Sequence, residues 1–432
     1  MTHVQHLVIG AGISGLAYAN AVLDLDPASS VLVVERDDEP GGLCKTVRQD
    51  GFVWDYSGHY FHFRHPEIAE WLFDRMPPDV EVHEIERRSE VYHRGTRVDF
   101  PFQSNIHQLP RDEFMSCYRD WQERGVLRAS DLGVEPGSLK ELAYQRFGRG
   151  IAERFFIPYN EKLYATDLNA LDQHALGRFL PQVDLERVLG GPSAPEVKTY
   201  NHTFSYSSGG AISYIQALLR DLPERALSLG EDVISIDPEK RIAVTTKRTL
   251  RFDFLVSSAP LPSLLSTCGE AVDREIWNWN KVLVFNLGFD GKGPEAVHWI
   301  YYPDRDIRFY RVGFYDNLIE GDRMSLYVEV GTRRDAELDT DAELEIVMRD
   351  LSRVGVVEDQ SLVSRHSVVL DPAYVHISRR SDEAKSSALN RLAEKSIFSI
   401  GRYGAWTYCS IEDNIVEARR LARGLPGLDP RR

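Results

Sequence analysis

Long apolar runs are missing from this chain: nothing in it approaches the ~20 residues that a membrane-spanning helix needs. A glycine-rich segment begins by Gly10, so neither a membrane span nor a cleaved leader is expected. Cysteine is scarce. Cys44, Cys117, Cys268 and Cys409 lie far apart, with no spacing suited to a metal site or a dithiol relay, and free thiols in a cytoplasmic protein are the expectation. Blocks of positive charge are absent too. The formal net charge is −15, with acids and bases interleaved, which disfavours nucleic acid and anionic lipid as partners. An anionic substrate would have to be drawn by a few local arginines against the field of the whole molecule. Internal repeats and low-complexity linkers are also lacking. What is present is a 432-residue chain, 43% hydrophobic and 10% aromatic. That composition belongs to a folded enzyme, and that length to two or three interleaved domains.

The opening reads as strand, turn, helix, strand. His6-Leu7-Val8-Ile9 is a short apolar run, and Leu16, Ala17, Ala21, Val22 and Leu25 follow at helical spacing. Pro27–Ser30 marks a turn, and Val31–Val34 has the uninterrupted apolar character of a buried parallel strand. Between the first strand and the helix stands Gly10-Ala11-Gly12-Ile13-Ser14-Gly15. In such a run Gly10 permits the tight turn, Gly12 lets backbone approach a pyrophosphate, and Gly15 allows close helix–strand packing. The helix N-terminus then directs unpaired amides at the phosphates. Glu35, at the end of the second strand, is placed to accept bonds from ribose hydroxyls. The whole constellation predicts a Rossmann-type dinucleotide site.

Further along, Glu67–Arg75, Leu109–Glu123 and Leu139–Phe156 carry helical patterns. Ser207-Ser208-Gly209-Gly210 precedes a helical run, Ala211–Leu222, and Asp232–Ile236 and Phe254–Ser258 read as strands. From Trp277 to about residue 370 alternating β-branched and aromatic residues, such as Val282–Phe289 and Ser325–Val330, predict a mostly antiparallel sheet. A last strand, Ile397–Ile400, leads to Gly401-Arg402 and a closing helix near Ile411–Leu425. The expected fold is α/β. A discontinuous Rossmann-type domain (1–64, 203–272 and 395–432) carries an inserted helical domain (65–202) with a mobile substrate loop. An antiparallel-sheet substrate domain spans 273–394.

Beyond Glu35-Arg36, the segments Pro40-Gly41-Gly42-Leu43 and Phe52-Val53-Trp54-Asp55-Tyr56-Ser57-Gly58-His59 resemble the extended motif of the amine oxidase, protoporphyrinogen oxidase and mutase group of flavoproteins. Gly401-Arg402 before a helix resembles the same group's C-terminal flavin contact. The resemblance implies FAD, held by Gly10, Gly12, Ser14, Gly15, Glu35 and Arg36, by Gly41, Gly42 and Leu43, and by Gly58, His59, Arg87, Val233, Gly401 and Arg402. A narrower resemblance, to the UDP-galactopyranose mutases and especially their eukaryotic type, rests on five segments. These are Val98–Ile106, Pro158-Tyr159-Asn160-Glu161-Lys162-Leu163-Tyr164, His298–Pro303, Phe309-Tyr310-Arg311 and Gly401–Tyr408.

That resemblance implies a nucleoside diphosphate sugar as substrate, clamped at its diphosphate by Arg311 and by Arg187 on a loop ending in Gly190-Gly191-Pro192. It places Tyr301 and Tyr408 on the diphosphate and Asn201 near the sugar. Phe102 and Gln103 fall at the nucleobase, with Asn160 and Tyr164 close by, and the backbone of His59 against the reactive ring nitrogen. His59, Arg187 and Arg311 are the implied catalytic set. Reduced flavin is implied as the nucleophile at the anomeric carbon, with a different hydroxyl reclosing the ring and NAD(P)H as a candidate reductant. A planar guanidinium suits a diphosphate, and tyrosine hydroxyls suit its remaining oxygens.

The residues leave alternatives. Arg311 has the alternative of a solvated or ion-paired surface residue, with the clamp favoured. Arg187 reads equally as an ordinary salt-bridge partner, and Tyr301 and Tyr408 have the alternative of packing residues. His62 and His65 beside His59 lack a matching carboxylate for a metal. Phe100, Tyr164, Val183 and Leu318 depart from the mutase pattern. An oxygen-consuming amine-oxidase-like or desaturase enzyme, and an inactive flavin-bound scaffold, are the competing functions. A homo-oligomer is compatible with all three.

Overall fold

The computed structural model describes residues 1–180, Val188, 202–319 and 321–425. Two seven-stranded sheets organise it. In the first, Thr2–Ile9 runs parallel to Val31–Val34 on one side and to Thr249–Ser257 on the other, with Thr2 opposite Leu250 and Ile9 opposite Ser257. Ile397–Ser399 also pairs in parallel with Thr249–Ser257, and Ile242–Thr245 and Val233–Asp237 extend that side antiparallel. All four residues of Val31–Val34 are buried because both faces of the sheet are covered. The helix Ile13–Leu25 is buried through nine consecutive residues, Ser14 to Val22. It packs in one core with the helices Ile411–Gly424 and Ile212–Arg220. A helix enclosed in this way has no polar stripe to display.

The second sheet runs in the order Leu362–Leu370, Asn280–Phe289, Ser325–Arg333, Arg311–Phe314, Trp299–Tyr301, Ser89–His93, Thr96–Asp99. It is antiparallel except where Trp299–Tyr301 meets Ser89–His93. Strand periodicity splits Asn280–Phe289 between two cores. Val282 and Val284 face the helical layer, while Leu283, Phe285 and Leu287 face Leu344, Val347 and Leu351 of the helix Thr340–Arg353. The last two strands of this sheet lie in the segment expected to be mostly helical. Ser89–His93 alternates buried and half-buried positions, and Arg94 and Gly95 both take positive φ (49° and 83°). That is the turn that closes a two-residue hairpin, but a run of five residues is too short for periodicity to separate from coil.

The helical layer is built from Arg111–Gln122, Leu139–Ile151 and Ile157–Tyr164, the last with Pro158 in its first turn. Its aromatic side chains, Phe147, Phe155 and Phe156, pack towards the second sheet. No described helix is long and apolar enough to cross a membrane.

Candidate functional site

A single cavity of about 1710 Å³ runs from the glycine turn of the first sheet to the inner face of the second. At one end Gly10 takes φ 101°, and its N–H donates to Val34 O (2.9 Å). A Cβ at Gly15 would collide with the Gly10 carbonyl, which is the packing role expected of it. Gly41 and Gly42 also have positive φ (132° and 56°). The Gly41 N–H donates to Ala11 O (2.9 Å), and a Cβ at Gly42 would stand 3.4 Å from Gly12 Cα. The two glycine runs therefore abut, with Ser14 and Leu43 at their margins facing the cavity.

Glu35 accepts from Ala11 N–H (2.8 Å) and Asp37 N–H (3.1 Å). This fixes its carboxylate at the cavity rim beside Arg36. Val233 lines the same end next to Glu231, which Arg248 pairs at 2.7 Å and which Thr245 also bonds. Those bonds overcome its burial and hold the Glu231 carboxyl at a pKa of about 2. Gly401 backs this wall, since a Cβ there would meet Ser14 Oγ. Backbone amides, glycines without side chains and a tethered carboxylate make a cradle that fits a dinucleotide.

The middle of the cavity is lined by Ser57, Gly58 and His59. Ser57 has φ 102°, and its carbonyl accepts from His59 Nδ1 (3.2 Å). Burial pushes the His59 imidazole down to about 4, so it is neutral at neutral pH. Opposite lies Arg402, over the rings of Tyr374 (5.0 Å) and Tyr408 (4.8 Å), donating to Cys409 O (3.3 Å). No ion pair joins Arg402 to a carboxylate among the described residues.

At the far end Arg311 grips Glu329 with two bonds, Nε to Oε2 (2.5 Å) and Nη2 to Oε1 (2.7 Å). Glu329 also accepts a bond from the Ser57 hydroxyl. Tyr301, Tyr159, Gln103 and Asn160 share this end. Tyr159 stands edge-on to Tyr301 at 5.2 Å, and Asn160 Nδ2 donates to Phe156 O (2.7 Å), which leaves its carbonyl oxygen as the open group. Tyr310 Oη is buried here without a partner among the described residues.

The structure thus gathers most of the expected residues around one space. Gly15 and Gly401 lie just behind its wall, and three side chains stand elsewhere. Phe102 is fully buried against Phe155 (5.2 Å) and does not line the cavity, because the turn Phe102–Ser104 directs its ring into the helical core and Gln103 outward. Tyr164 packs edge-on to Tyr374 (5.5 Å) and His376, and Leu163 takes the wall position. Arg87 stacks on Phe100 (4.8 Å) behind the wall. Arg187 and Asn201 lie outside the described residues. Arg311 resolves an open alternative by being both ion-paired and at the cavity.

Sequence reading missed Glu329, Ser57 and Lys45. Glu329 had a signal: it is the lone acid in the apolar run Leu326–Val330, and an acid inside a buried strand needs a partner. Lys45, which lines the cavity and pairs with Asp37 at 2.8 Å, had none.

The model of the flavin containing amine oxidoreductases matches residues 13–425. A solved structure of reduced UDP-galactopyranose mutase superposes with a TM-score of 0.88 at 23% identity, covering 98% of this chain and 96% of that one. Coproporphyrinogen III oxidase of Staphylococcus aureus is 21% identical over 67% of this chain and 68% of its own length. Protoporphyrinogen oxidase 1 of Arabidopsis thaliana is 26% identical over 39% of this chain, and that match spans only 32% of the plant enzyme.

Proposed function

For a chain that belongs to the flavin-containing amine oxidoreductase family and takes FAD as its cofactor, we propose the pyranose–furanose isomerisation of a nucleoside diphosphate sugar. The observation that carries this reading is the charge of the chamber next to the flavin cradle. Arg402 faces it with no carboxylate counter-ion among the described residues. Arg311, neutralised by Glu329, adds guanidinium donors without net charge, and Tyr301 and Tyr408 line the same space. Such a chamber attracts an oxygen-rich anion and repels a protonated amine. The fold likeness to a mutase supports the same choice.

Arg311 uses Nε and Nη2 on Glu329, so Nη1 is the edge it offers a diphosphate. As the anomeric bond breaks, charge gathers on the departing diphosphate. Preorganised guanidiniums and tyrosine hydroxyls stabilise it there more than in the ground state. Reduced FAD would supply the nucleophile for the anomeric carbon. His59, neutral and tied through Nδ1 to Ser57 O, holds the turn beside the cofactor without adding charge. Asn160 and Gln103 receive the base. Arg187 and Asn201 keep the roles that the resemblance implies, and NAD(P)H serves as reductant.

The assay is conversion of UDP-galactose by protein reduced with dithionite, followed by separation of pyranose and furanose forms. Turnover only after reduction, with no net oxidation, is the expected result. A thermal-shift panel of nucleoside diphosphate sugars against oxidised and reduced protein names the base by linkage. A second reading, an oxidase, is favoured by the porphyrinogen-oxidising relatives. Oxygen uptake with a porphyrinogen and no binding of any nucleoside diphosphate sugar would establish it in place of the mutase.

A further inference from the structure

We propose that Lys162 is a positioning residue: from the helix Ile157–Tyr164 it fixes the hairpin that carries Tyr301 and Arg311 against the wall that carries Tyr159 and Asn160. The proposal rests on the reading of this chamber as a diphosphate site. Its chemistry is visible in the bonds. Lys162 Nζ donates to Tyr302 O (2.7 Å) and Asp304 O (3.0 Å), the first and third carbonyls after the strand Trp299–Tyr301. The return strand begins at Arg311, and the turn between them is closed by Tyr302 N–H to Tyr310 O (2.9 Å).

The helix end of the tie is itself rigid. Asn280 Nδ2 donates to Leu163 O (2.7 Å), and Gly331 leaves room for the Lys162 carbonyl where any Cβ would collide. Thus one side chain connects a helix seated on the second sheet to a turn flanked on both sides by diphosphate-facing residues. The other helix-side contact, Arg305 to Glu161, has its arginine 61% exposed and holds the turn weakly.

Apolar packing alone would be served by methionine or leucine at this position. An ammonium here costs desolvation, which the two carbonyls offset. The surrounding charges are mixed. Asp304, Asp306 and Asp350 favour the cation and Arg308 opposes it, and burial pushes the amine down to about 7. Around them, Asp304 faces His93, Arg308 is gripped by Glu343, and Glu161 on the helix is taken by Lys140 and Arg305.

The experiment compares holoprotein of wild type, Lys162→Met and Lys162→Arg. It reads FAD content, the Kd of UDP, and amide hydrogen exchange across residues 302–310. The expected result for Lys162→Met is full FAD content, UDP binding weakened about tenfold, as for a misplaced clamp, and faster exchange in 302–310. Lys162→Arg, which keeps the charge and the donors, should recover most of both. A Lys162→Met protein with full FAD whose UDP affinity stays within about twofold of wild type, or whose 302–310 exchange is unchanged, overturns the proposal.

If Lys162→Met does not retain FAD, wild type and Lys162→Arg decide the matter by pH. A UDP affinity that falls from pH 6 to pH 8.5 in wild type but not in Lys162→Arg supports the tie, and parallel curves overturn it. Wild type that binds no nucleoside diphosphate sinks the mutase reading instead. In that case exchange at 302–310 still reports whether Lys162 holds the hairpin.

Discussion

Arg311, Glu329 and Ser57 form the chain of bonds by which the far end of the cavity is joined to the turn Ser57–His59 at its middle. Glu329 is almost fully buried, and the Arg311 side chain is 19% exposed. Removing one partner of such a pair costs more than removing both, because a buried charge is left without compensation. Arg311→Ala should abolish the UDP-induced rise in melting temperature while the protein stays yellow. It should also lower stability in denaturant by about 3 kcal/mol. The double variant Arg311→Ala/Glu329→Gln should recover part of that stability and none of the UDP response. Loss of FAD in Arg311→Ala would instead make the arginine part of the cofactor cradle. Equal stability of the single and double variants would show that Glu329 is not the arginine's counter-ion.

At the scale of elements, the nucleotide cradle is two glycine turns pressed together. Their glycines have unequal tasks. Gly42 has positive φ and sits 3.4 Å, measured from an added Cβ, from Gly12 Cα, so alanine there strains the backbone of the empty fold. Gly12 has φ −87°, and an added Cβ would be 3.8 Å from Gly42 Cα, an ordinary contact. Gly12→Ala should therefore fold with little change in circular dichroism and purify with most of its FAD missing, since the methyl occupies the pyrophosphate approach. Absorbance at the flavin band against protein concentration measures this. Gly12→Ala with full FAD content would remove Gly12 from the phosphate site.

At the scale of the whole molecule, five histidines lowered by burial outweigh Asp55, whose own burial raises its carboxyl to about 6, in setting the response to acid. Burial lowers His6, His59, His62, His298 and His376 to about 4, below the usual 6.5. The unfolded chain takes up these protons first as pH falls. The stability they contribute is complete above about 6.5 and is lost between there and about 4. Glu231, held at about 2, adds stability that is lost only at lower pH, as its own folded pKa is approached. Melting temperature should fall steadily from pH 6.5 to 4.5. His376→Gln should flatten that fall, because its amide can keep the bond to Tyr164 O (2.9 Å) without titrating. A melting temperature flat over this range would contradict the lowered values of these rings.

Local chemistry made much of this molecule legible without coordinates. Gly10, Gly12 and Gly15 with Glu35 specified the cradle, since turn, close approach and ribose recognition each demand particular residue types at short spacing. Period-two alternation marked Val282–Phe289 and Ser325–Val330 as strands for the same local reason, and the structure lengthens them to Asn280–Phe289 and Ser325–Arg333. Tertiary structure alone decided the rest. Ser89–His93 pairs locally with Thr96–Asp99, but it joins the second sheet only through the parallel partner Trp299–Tyr301, about two hundred residues away in sequence. Phe102 turned into the helical core and Gln103 towards the cavity because the core offered Phe155 as a neighbour. The counter-ion of Arg311 stands on the neighbouring strand at Glu329, and the tie from Lys162 reaches carbonyls 140 residues on. Residue type and spacing carry the chemistry of a turn or a helix end. Which distant side chains neutralise, bury or orient one another is settled only when the sheets and the helical layer close around a common cavity.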